Sequence, residues 1–372
     1  MLGLTVYWFI FWRKFLINPY LLSTSEIAST YFPFWIWMGR KWQAKDEIYF
    51  RYPACIPFLS MWYLPNVLVS KISRYLSLDN SLKLYVYFIL LHYLLASFIA
   101  YKVMGLFGAL TLTYAGYSIK PQTPSFVYTM TWMPGMLVGG WFGAFSCFMA
   151  ITGGYWPILV YFMPIAVFMN PWCLLGVIPA LIQIIPFAWY WPKSVRAKEK
   201  IDPNFGRLPW WKLKDLFIPS QSVSKTNGVH YPEVEMYMGI AVLFIWHVSW
   251  WWIVALISAF VALSWFPQVQ RIPVRSLYLL TFCLSAICAE SIGFHQNHTY
   301  LGIFLLVQSV LLLRNSLIYP SFPFSQWWNK PSVLYTRSSK AYNWPFNTGY
   351  LQGKKTGNYY AGAFSLKCQT TT

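Results

Sequence analysis

Residues 84–100 of the chain read LYVYFILLHYLLASFIA, a run without a single charged side chain. A helix needs about 20 mostly apolar residues to cross the hydrocarbon layer of a membrane. Comparable runs lie at 2–17, 103–117, 132–151, 155–169, 172–189, 236–247, 250–266, 277–294 and 300–318. This recurrence predicts an all-α, polytopic integral membrane bundle of about 9–11 transmembrane helices.

The overall composition also favours a membrane protein. Of the 372 residues, 57% are hydrophobic and only 10% are charged, against roughly 25% charged in an ordinary soluble domain. The formal net charge is +18, but a soluble nucleic-acid-binding protein would not also carry 22 Trp and 29 Phe in long apolar runs. We therefore exclude nucleic acid as a partner and expect the positive charge to face lipid headgroups or anionic lipid-linked substrates.

Three hydrophilic segments interrupt the apolar runs. The first loop, 18–83, contains the proline-broken aromatic stretches YFPFWIWM (31–38) and PACIPFLSMWYLPNVLV (53–69), which predict interfacial or re-entrant helices. The second, 192–235, is basic. Residues 1–318 are thus expected to form one membrane domain. The aromatic, basic tail at 319–372 has no acidic residue and is a candidate surface for other membrane-protein subunits.

The chain has only ten carboxylates, so its candidate acids and bases are few. Glu26, Asp46 and Glu47 lie in the first loop, where a carboxylate can serve as a catalytic general base. The alternative is a solvated charge cluster with the nearby cations Arg40, Lys41, Lys45 and Arg51, which contributes little stability. Glu290 lies inside an apolar run, where a charge is costly, and is either a functional residue or a structural carboxylate bonded within the bundle.

Two further residue groups bear on binding. Lys193, Arg196 and Lys198 follow the aromatic run FAWYWP and either bind a phosphate or pyrophosphate group or mark the cytoplasmic side of the membrane. The six cysteines lie far apart and are interpreted as buried small hydrophobic residues. Neither they nor the five histidines show metal-ligand spacing, so no metal-ligating residue is predicted.

Several stretches, taken in chain order, carry a family resemblance. They are SEIASTYFPFWIWMGRK (25–41), YPACIPFLSMWYLPNVL (52–68), YAGYSI with TWMPGMLVG, ITGGYWPILVYF, GVIPALIQIIP leading to SVR, and RIPVRSLYLLTFCLSA. Together they resemble the bacterial YfhO-type membrane proteins, a branch of the GT-C superfamily of polyprenyl-phosphate-sugar-dependent glycosyltransferases. The resemblance covers roughly residues 2–294.

The resemblance implies a GT-C-like fold in a bacterial-type cytoplasmic membrane, with a catalytic acidic residue in the first extracytoplasmic loop. Glu26 stands where the family usually has Asp, and would act as base or orienting carboxylate. Arg196 matches the family's Ser-x-Arg position and would hold the lipid phosphate with Lys198, while Lys193 and Arg40 are further substrate-binding candidates. The donor would be a polyprenyl-phosphate-linked sugar. A divalent metal ion stays open as a cofactor, although no Asp-x-Asp pair supports it.

Two other functions and one question of topology stay open. The Glu at position 26 and the acid-free tail fit a non-catalytic scaffold subunit of a larger membrane complex, binding partners, lipids or pigments. A transporter would use Glu290. If the N-terminus is cytoplasmic and every apolar run crosses the membrane, loop 192–235 is cytoplasmic, whereas the resemblance places that loop on the extracytoplasmic side.

Overall fold

The computed structural model describes residues 1–22, 31–41, 62–119, 124–190, 207–216, 237–238, 247–263 and 273–293. Most residues in these ranges are helical and none lies in a β-strand, which confirms the all-α prediction for this part of the chain. The helices are α1 (Leu2–Ile17), α2 (Phe32–Lys41), α3 (Leu64–Ile72), α4 (Leu78–Tyr114), α5 (Pro124–Trp132), α6 (Trp141–Gly153), α7 (Trp156–Met169), α8 (Cys173–Tyr190), α9 (Trp251–Ala262) and α10 (Leu277–Gly293). The predicted runs 236–247 and 300–318 and the tail 319–372 lie wholly or almost wholly outside these ranges.

Helix α4 is the central element, because α1, α2, α5 and α10 all pack against it. It begins where the Ser77 hydroxyl accepts a hydrogen bond from the backbone N–H of Asn80 at 3.2 Å, a standard N-terminal cap. It bends at Met104 and Gly105, and Gly105 has φ +67°, a conformation that favours glycine. The predicted runs 84–100 and 103–117 therefore lie largely on one bent helix.

The predicted run 132–151 is divided in the structure. Trp132 ends α5, and Pro134 opens a short 3-10 turn, Pro134–Leu137. Gly140 then precedes α6 with φ +70°, and Gly154 follows α6 with φ +90°. Proline lacks the amide needed inside a helix and glycine tolerates positive φ, so these residues end one helix and begin the next.

Helix α8 presents its large apolar side chains outward. The exposed residues recur every three or four positions and therefore form one stripe; they are Leu174, Ile178, Leu181, Ile182, Ile185 and Trp189. Ile178 and Ile185 are 61% and 60% exposed. The opposite face of α8 lies against α6 and carries small or polar residues, including Gly176 and the completely buried Gln183.

Among the described helices, length and apolar composition single out Leu78–Tyr114, with 37 residues, as long enough to cross a membrane. The other apolar helices in this part of the chain contain between 10 and 17 residues by the same measure.

Candidate functional site

A buried cluster of aromatic and polar side chains joins the end of the first loop to the bundle. It consists of Tyr63, Asn66, His92, Tyr128 and Trp132, and we refer to it as the Tyr63 cluster. Tyr63 immediately precedes α3, and Asn66 lies in the first turn of that helix. His92 comes from the middle of α4, and Tyr128 and Trp132 come from α5. Every member is less than one tenth exposed.

Three hydrogen bonds form a chain from Trp132 through Tyr63 and His92 to the backbone of α4. The Trp132 indole donates to the Tyr63 hydroxyl oxygen at 2.8 Å. The Tyr63 hydroxyl and His92 Nε2 are 2.7 Å apart, and His92 Nδ1 is 2.7 Å from the backbone carbonyl of Phe88. A carbonyl only accepts, so Nδ1 carries the imidazole proton and Nε2 accepts from Tyr63. The network therefore fixes the tautomer of a neutral His92, with the proton on Nδ1.

Ring stacking reinforces these bonds. The Tyr63 and Tyr128 rings are nearly parallel with centroids 4.8 Å apart, and the His92 and Tyr128 centroids are 4.7 Å apart. The Tyr128 hydroxyl donates to the Asn66 side-chain oxygen at 3.4 Å. Because these polar atoms bond to one another inside an apolar bundle, the cluster fixes α3 against α4 and α5.

Residues 31–41, another described part of the first loop, also pack against the bundle. Helix α2 packs against α3, and the Arg74 guanidinium donates to the backbone carbonyl of Gly39. The hydroxyl groups of Tyr31, just before α2, and Ser125, in α5, are 2.8 Å apart. Helix α2 covers most of the first predicted stretch, 31–38, and α3 begins within the second, 53–69, of which residues 53–61 lie outside the described residues. Both helices lie on the bundle.

Most of the predicted site residues lie outside the described residues. These are Glu26, Asp46, Glu47, Lys193, Arg196 and Lys198. Arg40 lies in the last turn of α2. The structure therefore describes the helices on either side of Asp46 and Glu47 but not the carboxylates themselves.

Part of the basic loop is described, and there the charges serve the fold. Lys212 and Asp215 form an ion pair at 3.0 Å, with both side chains nearly inaccessible. The Arg207 guanidinium donates to the carbonyl of Leu263, which follows α9. Lys212 thus forms an ion pair within residues 207–216, and Arg207 connects this segment to the end of α9.

Glu290 lies near the end of α10, which packs against α4 and α9. Its side chain is half-buried, and its Oε2 atom is buried without a hydrogen-bond partner in the described part of the chain. The neighbouring Ser291 hydroxyl accepts the backbone N–H of His247 at 3.1 Å. Glu290 therefore stays a candidate, and the described residues do not bring it to the Tyr63 cluster.

Cys147, Cys173, Cys283 and Cys288 are buried free thiols, as predicted, whereas Cys55 and Cys368 lie outside the described residues. Within the described ranges, no group of three or more His, Cys, Asp or Glu side chains is placed to hold a metal ion.

Sequence reasoning missed the Tyr63 cluster, although one signal was present. His92 is the single ionisable imidazole inside the run 84–100, and the argument applied to Glu290 applies equally to it. Comparison with known proteins adds no further residue, since no family model, no curated protein and no solved structure matches this chain.

Proposed function

We propose that this chain is a multi-pass membrane protein that transfers a sugar from a polyprenyl-phosphate donor to an extracytoplasmic acceptor. The observation that carries the membrane assignment is the outward apolar stripe of α8. A soluble protein rarely exposes a contiguous apolar surface of this kind, because water contact with such a surface is unfavourable.

The inward faces of α8 and α9 also support the membrane assignment. The Gln183 side chain of α8 donates to the carbonyl of Ile151 at 3.2 Å, on α6. On α9, Ile253, Leu256 and Ile257 are at least half exposed, whereas Ser258 is buried. Small and polar residues between helices with apolar residues outside are typical of helices that pack in lipid.

The transferase activity is proposed from the sequence resemblance, and the docked first loop supports it. In the proposal, α2 and α3 hold this loop against the bundle, and the loop supplies Glu26 as general base for the acceptor hydroxyl. Arg196 and Lys198 bind the lipid phosphate and stabilise its charge as it departs. A base of this kind contributes about 10²–10⁴-fold to a rate.

The test uses the full chain, purified in mild detergent and reconstituted into liposomes with undecaprenyl-phosphate-linked glucose as the probe. Release of undecaprenyl phosphate in the presence of a membrane extract measures transfer. We expect Glu26→Gln to lower the rate at least 100-fold, in line with the loss of a general base. Asp79→Asn is the matched control, because Asp79 is an exposed carboxylate paired with Lys83 at 2.7 Å, and we expect it to keep the wild-type rate.

Two results would overturn the transferase. One is turnover that Glu26→Gln leaves unchanged. The other is mass spectrometry of the purified material that finds a fixed set of partner subunits, no polyprenyl lipid and no turnover. That second result would assign the chain to the non-catalytic subunits of membrane complexes and would leave the membrane assignment intact.

A further inference from the structure

Three sulfur-bearing side chains lie on three consecutive helices that pack against one another. They belong to Cys147 of α6, Met163 of α7 and Cys173 of α8. We propose that these three residues form a binding site for one soft monovalent metal ion, Cu(I) or Ag(I). The proposal does not rest on the proposed transferase activity, because none of its residues belongs to the Tyr63 cluster or the first loop.

The geometry rests on the close packing of α6 and α8. Cys147 Sγ and Met163 Sδ are 4.0 Å apart. A Cβ built at Gly176 of α8 would lie 2.9 Å from Cys147 Cβ. Cys173 lies three residues before Gly176 in α8. Residues three apart share one side of a helix, so Cys173 lies on the side of α8 that approaches Cys147. Cys173 also donates to the carbonyl of Met136 at 3.1 Å.

This spacing suits a metal ion. Two sulfur atoms 4.0 Å apart can both lie about 2.3 Å from one ion, which is the usual metal–thiolate distance. Thiolate and thioether ligands select soft ions such as Cu(I) over hard ions, which prefer oxygen. Both cysteines are completely buried, whereas Met163 is half-buried and gives the ion a route from the surface of α7.

Charge balance favours a monovalent ion. In an apolar interior, the bound complex is least costly when it is neutral. Release of one proton from the pair of thiols leaves one thiolate, which neutralises a single positive charge. The other thiol keeps its proton and contributes a sulfur lone pair. The site therefore takes up one ion and releases one proton.

The experiment titrates the full chain in detergent with Ag(I), which is not redox-active under these conditions, and repeats it with Cu(I) in competition with a colorimetric chelator. We expect one ion per chain and one proton released per ion. Cys147→Ser and Cys173→Ser should abolish binding, and Met163→Leu should weaken it at least tenfold. Cys283→Ser of α10 and Met149→Leu of α6 are controls that change buried sulfur atoms outside the site and should bind as the wild type does.

Met163→Leu nearly conserves side-chain volume, so this variant is expected to fold. In the wild type, bound Ag(I) should also protect Cys147 and Cys173, but not Cys283, from alkylation during partial unfolding. The site would be overturned if Cys147→Ser or Cys173→Ser bound the ion as the wild type does. Equal affinities of the wild type and the Met163→Leu variant would also overturn it, as would equal protection of Cys283 from alkylation.

Discussion

The Tyr63 hydroxyl lies 2.7 Å from Nε2 of His92, and this contact joins the residue before α3 to the middle of α4. Removing the hydroxyl in Tyr63→Phe leaves both His92 Nε2 and the Trp132 indole without their partner. We expect the free energy of unfolding to fall by about 1–3 kcal/mol for these buried unsatisfied groups. Thermal unfolding in detergent, followed by exposure of the buried thiols, measures the change.

The double variant Tyr63→Phe with His92→Leu tests whether the two side chains act together. We expect its loss of stability to be less than the sum of the two single losses, by about 0.5–3 kcal/mol, because the residues share one hydrogen bond. Tyr87→Phe is the control for loss of a tyrosine hydroxyl outside the cluster, because the exposed Tyr87 hydroxyl donates to the carbonyl of Leu16 at 3.1 Å. We expect this variant to lose less stability than Tyr63→Phe. Strict additivity of the two core changes would contradict the coupling.

The close approach of α8 to α6 predicts a large difference between two glycines. A Cβ at Gly176 would collide with the carbonyl oxygen of Ala144, whereas a Cβ at Gly139 would meet no atom within 4 Å. We expect Gly176→Ala to destabilise the fold by about 1–3 kcal/mol, as overpacking does, and Gly139→Ala to change stability by less than about 0.5 kcal/mol. Equal unfolding midpoints for the two variants would contradict the predicted helix contact.

A pH effect is predicted at the start of α4. Asp79 lies before the apolar part of that helix, pairs with Lys83 at 2.7 Å and accepts a hydrogen bond from the Tyr20 hydroxyl. The hydrogen bond from Lys83, followed by that from Tyr20, holds the pKa of Asp79 below its ordinary value. The folded pKa is then lower than the unfolded pKa of about 4, so the stabilisation is present above that pH and is lost as the pH falls through the folded pKa.

We therefore expect Asp79→Asn to lower the unfolding midpoint slightly at pH 7, since exposed ion pairs contribute little. The gap between wild type and variant should narrow as the pH is lowered below 4, and should also narrow at high salt. Unfolding scans at several pH values and two ionic strengths measure both trends. A gap that is independent of pH would show that the carboxylate charge is not involved.

The outward stripe of α8 gives a direct test of lipid contact. At the centre of a membrane helix, arginine costs about 2.5–3.5 kcal/mol on insertion scales. We expect Ile178→Arg to reduce the fraction of chain that resists alkaline extraction from membranes. Trp210→Arg is the control, since Trp210 is exposed on the short turn Trp210–Leu216. Unchanged integration of Ile178→Arg would place this stripe away from lipid.

Sequence reasoning located the helices better than their breaks. Run 2–17 matches α1, and runs 155–169 and 277–294 match α7 and α10 to within one residue. These helices have ends marked by a polar, proline or glycine residue in an otherwise apolar sequence. The sequence analysis separated runs 84–100 and 103–117 at Tyr101 and Lys102, whereas the structure continues the helix through these residues and bends at Met104 and Gly105. The polar side chain of Lys102 marked a break, but Gly105 supplies the backbone conformation of the bend.

The Tyr63 cluster was harder to foresee for a different reason. Its hydrogen bonds join residues 29 and 69 positions apart in the chain. Local periodicity reports which face of a helix is apolar, but it does not report which helix packs against that face. The close approach of α8 to Cys147 on α6 was hidden in the same way, because it depends on the absence of a side chain at Gly176.

The bend in α4 also bears on the arrangement of the chain across a bilayer. A straight helix of its 37 residues would measure about 55 Å, far more than the roughly 30 Å of a hydrocarbon layer. The arm beyond the bend, residues 105–114, measures only about 15 Å and is too short for a return passage. In the proposed membrane protein, with each of the other predicted runs before residue 192 taken as one passage, α4 therefore counts as one passage instead of two, and every later loop changes sides. With a cytoplasmic N-terminus, loops 18–83 and 192–235 then share the extracytoplasmic side, so a cysteine introduced at Lys193, in a chain without Cys55 and Cys368, should react with an impermeant reagent added outside the cell.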